Sequence, residues 1–258
     1  MDISQIALTL FTIRDHCRTE DDFKRSLARL REIGYQTVQI SAVPLEPDLI
    51  RRCCDEAGLR ICATHEPSKV IVEEPQTVVE KLQILGCDAT AYPHPHVGLA
   101  DQTAVDGLAR QLDESGAVLR EAGQVLTYHN HAHELIKIGG TTILQQFYDK
   151  TDPRNLQGEI DTYWIQRGGE NPVAWCERLQ DRLPLLHLKD YQMVPGEREQ
   201  YFGAIGDGNL DWPAILRAAE ASGCRWYIVE QDKFWINDDP FEAAKRSFDY
   251  LTQLVPTL

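Results

Sequence analysis

The feature that most constrains the fold is a regular alternation of short apolar segments and amphipathic segments along the whole chain. Apolar runs such as residues 37–40 and 156–161 predict buried strands. Segments with an apolar side chain every three or four residues, such as residues 105–119, predict helices. Glycine repeatedly separates a predicted helix from the next strand, as expected at helix C-termini, at Gly34, Gly58, Gly86, Gly123 and Gly223.

The alternation repeats as strand–helix units of about 32 residues across the 258-residue chain. Regular strand–helix order implies parallel strand pairing, because each helix serves as the crossover. Eight such units predict an α/β fold with one domain over residues 1–258, a TIM (β/α)8 barrel. An open doubly wound sheet is the alternative, but no glycine-rich phosphate loop follows any predicted strand. The strands are expected at residues 6–13, 37–40, 59–64, 87–92, 125–128, 156–161, 183–187 and 225–230.

Composition excludes several classes of function. The net charge of −14 argues against a nucleic-acid partner, whose phosphates require clustered Lys and Arg. No apolar run approaches the roughly 20 residues needed to span a bilayer, and the first residues lack the basic region of a signal peptide. The seven cysteines form no CxxC pair, so we expect reduced thiols and a cytoplasmic protein.

The most unusual stretch is the histidine-rich end of the fifth predicted strand, Q-V-L-T-Y-H-N-H-A-H-E. On a continued strand, His129, His131 and His133 would all point to the same side as Thr127. A single histidine there would more often be a satisfied core residue. Buried imidazoles need polar partners, and three of them followed by Glu134 favour a metal or catalytic site.

Other polar residues occupy equivalent positions at the ends of the remaining strands. In a TIM barrel the C-terminal strand ends carry the chemistry. Solvated loop residues are the simpler interpretation, but it does not explain why seven strands share the pattern. All eight histidines fall at or just beyond a predicted strand end. The residues at strand ends are Arg14, His16, His65, Glu66, His94, His96, His129, His131, His133, Glu134, Glu159, Asp161, His187, Lys189, Asp190, Glu230 and Asp232.

Side-chain alternation selects a mixed nitrogen and oxygen set from the last four strands. Glu159 and Asp161 share one face of their strand, and His187 and Lys189 share one face of the next. Together with the histidine-rich strand and Glu230, these residues could hold Mn²⁺, Co²⁺, Fe²⁺, Zn²⁺ or Mg²⁺. Spacing alone does not choose among the metals.

Four motifs in order resemble those of the sugar phosphate isomerase/epimerase family, the xylose-isomerase-like TIM barrels. They are Y-H-N-H-A-H-E, G-E-I-D-T-Y-W, H-L-K-D and V-E-Q-D, and T-I-R-D near the start and G-D-G-N-L-D-W extend the resemblance over nearly the whole chain. The resemblance implies one divalent cation, with Mn²⁺ the leading candidate. Its ligands in the family come from strands five to eight as Glu, Asp, His and Glu.

Carried over residue by residue, Asp161, His187 and Glu230 match three of the family's ligands. At the first position the sequence has H-N-H instead of Glu, so either His129 or His131 would be the fourth ligand. The substitution puts in question the proton shuttle between two carboxylates that the epimerase members use.

The resemblance also implies roles around the cation, which would chelate neighbouring oxygens of a keto-sugar or polyol and stabilise an enediolate. The base would be Glu230, Glu134 or a histidine. Lys189 would hold a substrate oxygen, or else form a salt bridge to Asp161 or Glu159. The expected substrate-binding residues are His65, His94, His133, Glu159 and Trp164.

Several functions fit these expectations. The first is an isomerase or epimerase of a sugar or keto-sugar derivative, and the second an inosose-dehydratase-like lyase that shares the first proton step. An AP-endonuclease-like nuclease is disfavoured by the charge of −14, and a non-enzymatic sugar-binding barrel has no specific feature in its favour. No cluster of Arg and Lys is visible in the sequence, so a free sugar is as suitable as a phosphorylated one. Barrels of this size often pair, so the expected assemblies include a homodimer.

Overall fold

The computed structural model describes all residues from 1 to 258 and contains a closed barrel of eight parallel strands. Each strand pairs with its neighbours in sequence, and β1 closes the barrel against β8, with Leu8 beside Val229. The predicted single-domain TIM barrel is therefore confirmed. The strands are β1 Ile6–Thr9, β2 Thr37–Ile40, β3 Arg60–His65, β4 Ala89–Tyr92, β5 Val125–His129, β6 Leu156–Asp161, β7 Leu185–Leu188 and β8 Trp226–Val229.

Helices surround the barrel, and most begin and end at residues with a local reason to do so. Thr19 caps the first helix by accepting a hydrogen bond from the Asp22 backbone N–H. Gly58 ends the second helix in the left-handed conformation that glycine adopts without strain. The helices are α1 Glu20–Ile33, α2 Pro47–Ala57, α3 Ser68–Glu73, α4 Pro75–Leu85, α5 Gln102–Glu121, α6 Ile143–Lys150, α7 Thr162–Arg167, α8 Pro172–Arg178, α9 Trp212–Ala221 and α10 Pro240–Leu254. None of them is both long enough and apolar enough to cross a membrane.

The structure differs from the sequence prediction mainly where the chain leaves the barrel strands. The first strand ends at Thr9, and a 3-10 segment, Leu10–His16, takes the place of its predicted second half. The short helices α3 and α7 were not predicted, because each is a single short element without a full apolar stripe. An antiparallel hairpin, Asp190–Met193 with Gln200–Gly203, follows β7.

Asp190 holds the segment that follows this hairpin. Its carboxylate accepts hydrogen bonds from the backbone N–H groups of Gly206 and Gly208 and from the indole N–H of Trp212. A Cβ at Gly208 would approach Asp190 to 2.2 Å, so only glycine fits there. The G-D-G-N-L-D-W segment is therefore explained by the anchoring of this loop to the end of β7.

The barrel interior is apolar at its base and polar at its top. A small cluster separate from the main core fills the base, and it includes Ala7, Ala63, Leu185 and Ile228. The main core of 56 buried residues lies between the strands and the helices. Because side chains alternate along a strand, the residue two positions after Leu185 also faces the interior. That residue is His187, so the polar top is built on the apolar base.

Two glycines of α5 provide a test of helix packing. A Cβ at Gly116 would lie 2.0 Å from the Asn155 carbonyl oxygen, whereas a Cβ at Gly107 would have no atom within 4 Å. We expect Gly116→Ala to lower the free energy of unfolding by about 1–3 kcal/mol through overpacking. Gly107→Ala should raise it by about 0.5–1 kcal/mol, because alanine favours the helix. Urea denaturation of both variants measures the difference, and equal effects would contradict the packing of α5.

Candidate metal centre and active site

The candidate site lies at the C-terminal ends of β5 to β8, inside the top of the barrel. Strand register brings its members together: His129 pairs with Glu159 across β5 and β6, and Asp161 pairs with His187 across β6 and β7. Glu230 directly follows β8, the next strand around the barrel. The sequence prediction that these strand ends converge is confirmed.

One ligand atom from each of four buried side chains lies within 4.8 Å of the others, those of His129, Asp161, His187 and Glu230. The Nε2 atom of His129 is 3.9 Å from Asp161 Oδ2, and the Nδ1 atom of His187 is 3.0 Å from Glu230 Oε2. Two imidazoles and two carboxylates form a set that suits a divalent transition metal. We call these four residues the upper cluster.

Asp161 shows that a cation fits the upper cluster. Its Oδ1 atom accepts the Trp164 backbone N–H at 3.0 Å and so caps α7, while its own N–H donates to Asn130 Oδ1. Its Oδ2 atom is buried and has no hydrogen-bond partner. Burial raises the pKa of this carboxyl, and Lys189 opposes the rise. A cation beside Oδ2 would satisfy the unpartnered oxygen.

A second group of four lies on the other side of the same two imidazoles. His65, His129, Glu159 and His187 also place one ligand atom each within 4.8 Å of one another, and we call them the lower cluster. The Oε2 atom of Glu159 is 2.6 Å from His65 Nε2, and its Oε1 atom accepts a hydrogen bond from Gln39 at 2.6 Å. Burial alone would raise the pKa of Glu159, but His187 and His65 outweigh it and hold the pKa well below its usual value.

Lys189 is a buried cation beside the upper cluster. Its ammonium lies 2.7 Å from Asp232 Oδ1, 3.1 Å from Glu230 Oε2 and 3.7 Å from Asp161 Oδ2. Burial acts to lower the pKa of Lys189, but these carboxylates outweigh it and raise the pKa. Asp161, one of the two carboxylates predicted to form a salt bridge with Lys189, is therefore within reach of it. Glu230 and Asp232, rather than Glu159, are its other partners.

A cavity of about 440 Å³ opens above these residues. Its wall includes the ammonium-bearing Lys189 and the carboxylates of Glu230 and Asp232, so charged groups face any occupant. The predicted substrate-binding residues His65 and His94 both lie in this wall, His65 near its floor and His94 at an exposed position. The remaining lining residues are Phe11, Ser41, Ala42, Glu66, Pro67, Pro93, His129 and His131.

The structure distinguishes the two histidines that the sequence left as alternative ligands. His129 belongs to the upper cluster, whereas His131 belongs to neither cluster. The His131 ring stacks on the His133 ring at 5.6 Å and lies 5.1 Å from the Trp164 ring, along the cavity wall. Burial lowers the pKa of His131 to about 4, so its imidazole is neutral.

His133 and Glu134, the predicted substrate-binding and catalytic residues of this stretch, lie outside the wall of this cavity. The strand ends at His129 and the chain turns, so the alternation of side chains does not continue to His133. The buried Glu134 carboxylate accepts hydrogen bonds from the Tyr128 hydroxyl and the His131 backbone N–H. His133 is half exposed and lies 3.2 Å from Glu134. Glu134 therefore holds the loop that carries His131.

Glu159 and Trp164 are also placed differently from their predicted roles. Glu159 has no exposed surface and is fully surrounded by protein donors, so a substrate does not reach it. Trp164 lies behind the cavity wall, with its ring 5.2 Å from the Lys189 ammonium and 5.1 Å from the His131 ring. Its contribution is to position these two side chains.

Two residues of the site, Gln39 and Asn130, were not singled out from the sequence, and Asp232 was noted at a strand end without a role. Gln39, in the middle of β2, contacts both Glu159 and His187 from across the barrel. Asn130 accepts the Asp161 N–H, and Asp232 pairs with Lys189. Side chains alternate along β2, which turns Gln39 inward next to apolar neighbours. This alternation could have identified Gln39 from the sequence.

A second cavity of about 400 Å³ adjoins the first and shares His65 and Glu66 with it. Its wall gathers Arg14, Arg18 and Lys81, a basic cluster that the sequence did not show because its members are far apart in the chain. Lys81 is paired with Glu66, and Arg18 with Asp15. Arg14 donates to the backbone carbonyls of Phe11 and Asp232.

Comparison with known proteins agrees with this fold. The family model described as xylose isomerase-like TIM barrel matches residues 27–254. The chain belongs to this family, which confirms the resemblance seen in the motifs.

Among curated proteins, the inosose dehydratase of Lacticaseibacillus casei is 24% identical over 268 aligned positions, which cover 90% of this chain and 89% of that protein. Among solved structures, a sugar phosphate isomerase/epimerase from Parabacteroides distasonis has a TM-score of 0.83 at 22% identity, covering 97% of this chain and 94% of that one. An L-ribulose 3-epimerase has a TM-score of 0.75 at 16% identity, covering 98% and 95%. At these identities the structures establish the shared barrel.

The neighbouring histidines provide a matched test of the upper cluster. We expect His129→Gln to weaken Mn²⁺ binding by more than roughly 100-fold, because a direct ligand is lost rather than an outer-shell partner. His131→Gln should leave the dissociation constant essentially unchanged. Isothermal titration calorimetry of both variants and the unmodified protein measures this, and a larger loss in His131→Gln would contradict the assignment of His129.

Proposed function

We propose that this protein is a divalent-metal-dependent enzyme that removes a proton next to the carbonyl group of a keto-sugar or keto-polyol. The observation that carries the proposal is the upper cluster of two imidazoles and two carboxylates, of which His129 and Glu230 line a cavity whose wall also presents a buried ammonium group. Mn²⁺ is the leading candidate for the metal, and the family to which the chain belongs supports a small sugar as substrate.

His129, Asp161, His187 and Glu230 would hold the cation. When bound, a divalent cation supplies Lewis-acid stabilisation of the negative charge that develops on the substrate oxygens. His129 suits this role because burial holds its pKa well below the usual value, which leaves a neutral imidazole.

Glu230 is the proposed base. Burial acts to raise its pKa, but Lys189 and His187 outweigh burial and hold the pKa well below the usual value, so the carboxylate is ionised. It reaches the cavity wall beside Lys189 and can accept a proton from a bound substrate. Lys189, with Asp232 at 2.7 Å holding its ammonium in place, would donate to the substrate oxygen that gains negative charge.

Proton removal has two outcomes on this scaffold. In dehydration, the C–H bond breaks, the electron pair forms a carbon–carbon double bond, and the β-hydroxyl leaves with a proton as water. In epimerisation the proton returns at the opposite face, which requires a second proton-transfer group, whereas in isomerisation the same base can return the proton to the neighbouring carbon. The family's second carboxylate is replaced by the neutral His129, so the site has fewer groups for the return step.

We therefore favour dehydration of a keto-polyol. The curated relatives named inosose dehydratase, which align over most of their length, support this choice. The isomerase or epimerase reaction expected from the sequence stays the second candidate, since both reactions share the first proton step. The basic residues of the adjoining cavity are the reason for testing phosphorylated as well as free substrates.

Solvent-deuterium exchange tests the shared step. The Mn²⁺-loaded protein is incubated in D₂O with inosose, free ketoses and ketose phosphates, and products are analysed by NMR and mass spectrometry. A product lighter by one water identifies dehydration, and a deuterated epimer or isomer identifies the second candidate. Glu230→Gln should lower the rate by about 10²–10⁴-fold, because a general base is removed.

Two controls define the outcome. Lys245→Met removes an exposed lysine outside the site and should retain the rate. Retention of Mn²⁺ by Glu230→Gln, measured separately, shows whether the loss arises from the base or from the metal. No exchange with any substrate by the loaded, unmodified protein would contradict the proposed proton step.

A further inference from the structure

We infer that Glu159 and Gln39 fix which ring nitrogen of His129 and of His187 is free to bind the cation. They are positioning residues beneath the metal centre, and the lower cluster is the support of the upper one rather than a second metal site. The inference rests on the proposed metal-dependent function and assigns roles to two buried residues that contact no substrate.

Both histidines stand between the two clusters, with one nitrogen toward each. For His129, Nδ1 lies 3.3 Å from Glu159 Oε2 and Nε2 lies 3.9 Å from Asp161 Oδ2. For His187, Nε2 lies 3.5 Å from Glu159 Oε1 and Nδ1 lies 3.0 Å from Glu230 Oε2. A single buried carboxylate therefore faces the inner nitrogen of both proposed ligands.

Gln39 determines the proton on His187. Its amide contacts Glu159 Oε1 at 2.6 Å on one side and His187 Nε2 at 2.9 Å on the other. An ionised carboxylate only accepts hydrogen bonds, so the NH₂ group of the amide must face Glu159. The amide oxygen then faces His187 Nε2, which must carry a hydrogen. The other ring nitrogen, Nδ1, donates to the ionised Glu230 carboxylate at 3.0 Å in this structure, and its hydrogen is the one that a bound cation would replace.

Glu159 acts on His129 through its charge: its Oε2 atom lies 3.3 Å from Nδ1 without forming a hydrogen bond, and the negative charge favours a hydrogen on Nδ1 and leaves Nε2 toward Asp161. His65 completes the arrangement by donating from Nε2 to Glu159 Oε2 at 2.6 Å. Glu159 and Gln39 are both fully buried, so water does not replace their partners. Metal-binding histidines commonly donate their second N–H to a carboxylate in this way, which fixes the ring orientation and raises the basicity of the ligand.

The same geometry argues against a cation in the lower cluster. Glu159 and Gln39 favour hydrogens on the nitrogens that face them, and a nitrogen that keeps its hydrogen cannot ligate a metal. The acceptor-only carboxylate is satisfied by imidazole and amide donors, whereas Asp161 Oδ2 in the upper cluster has no partner. Of the two clusters, only the upper one therefore offers a cation a carboxylate oxygen that has no hydrogen-bond partner.

The test uses the full chain loaded with Zn²⁺, which is diamagnetic, and labelled with ¹⁵N-histidine. Long-range ¹H–¹⁵N correlation spectra report which ring nitrogen carries the hydrogen. We expect His129 as the Nδ1–H form with Zn²⁺ on Nε2, and His187 as the Nε2–H form with Zn²⁺ on Nδ1. His129→Gln and His187→Gln spectra assign the signals. The opposite form at either ring, or two Zn²⁺ ions per chain, would overturn the inference without any further variant.

Affinity measurements complete the test. Gln39→Met and Glu159→Gln should each weaken Zn²⁺ and Mn²⁺ binding by about 10–100-fold, and Gln39→Met should give mixed tautomers at His187. Gln124→Met is the matched control, because Gln124 is also a buried glutamine and donates to Val79 O outside the site. Unchanged affinities in both site variants would overturn the inference alone, with the proposed function intact. No metal binding by the unmodified protein would overturn both.

Discussion

Three carboxylates, those of Glu159, Asp161 and Glu230, are withdrawn from bulk water at the top of the barrel, with the partly exposed Asp232 beside them, and the other polar residues of the site offset their charge. Burying an unpaired carboxylate costs several kcal/mol, so each needs a cation or hydrogen-bond donors. Glu159 is surrounded by imidazoles and the Gln39 amide, while Glu230 and Asp232 share the Lys189 ammonium. Asp161 is left with one unpartnered oxygen. Because that oxygen lies next to two imidazoles, a metal ion is the partner that would complete the site.

The barrel makes this concentration of charge tolerable. Small and aliphatic residues close the base, and the strand register sets the polar side chains at one height above them. Asp161 illustrates how closely fold and chemistry are linked: one carboxylate oxygen caps α7 and the other faces the metal position. A change at Asp161 would therefore affect both the local backbone and the site.

Much of this could be predicted from the sequence, because the barrel depends on local patterns. Strand–helix alternation gave the topology, and alternation along β6 placed Glu159 and Asp161 on one face. Prediction failed where the local pattern stopped: His133 lies beyond the end of β5, so parity no longer applied. The contacts of Gln39 depend on a residue 120 positions away, and closure of the barrel alone brings them together.

The most direct test of the central claim is an anomalous-difference map from crystals of the full chain soaked with Mn²⁺. The account predicts one peak, in contact with His129 Nε2, Asp161, His187 Nδ1 and Glu230, with Lys189 beside it. A peak among His65, Glu159 and the inner nitrogens would contradict the division of the two clusters. The absence of any peak after a soak in a high concentration of Mn²⁺ would contradict the metal-dependent function itself.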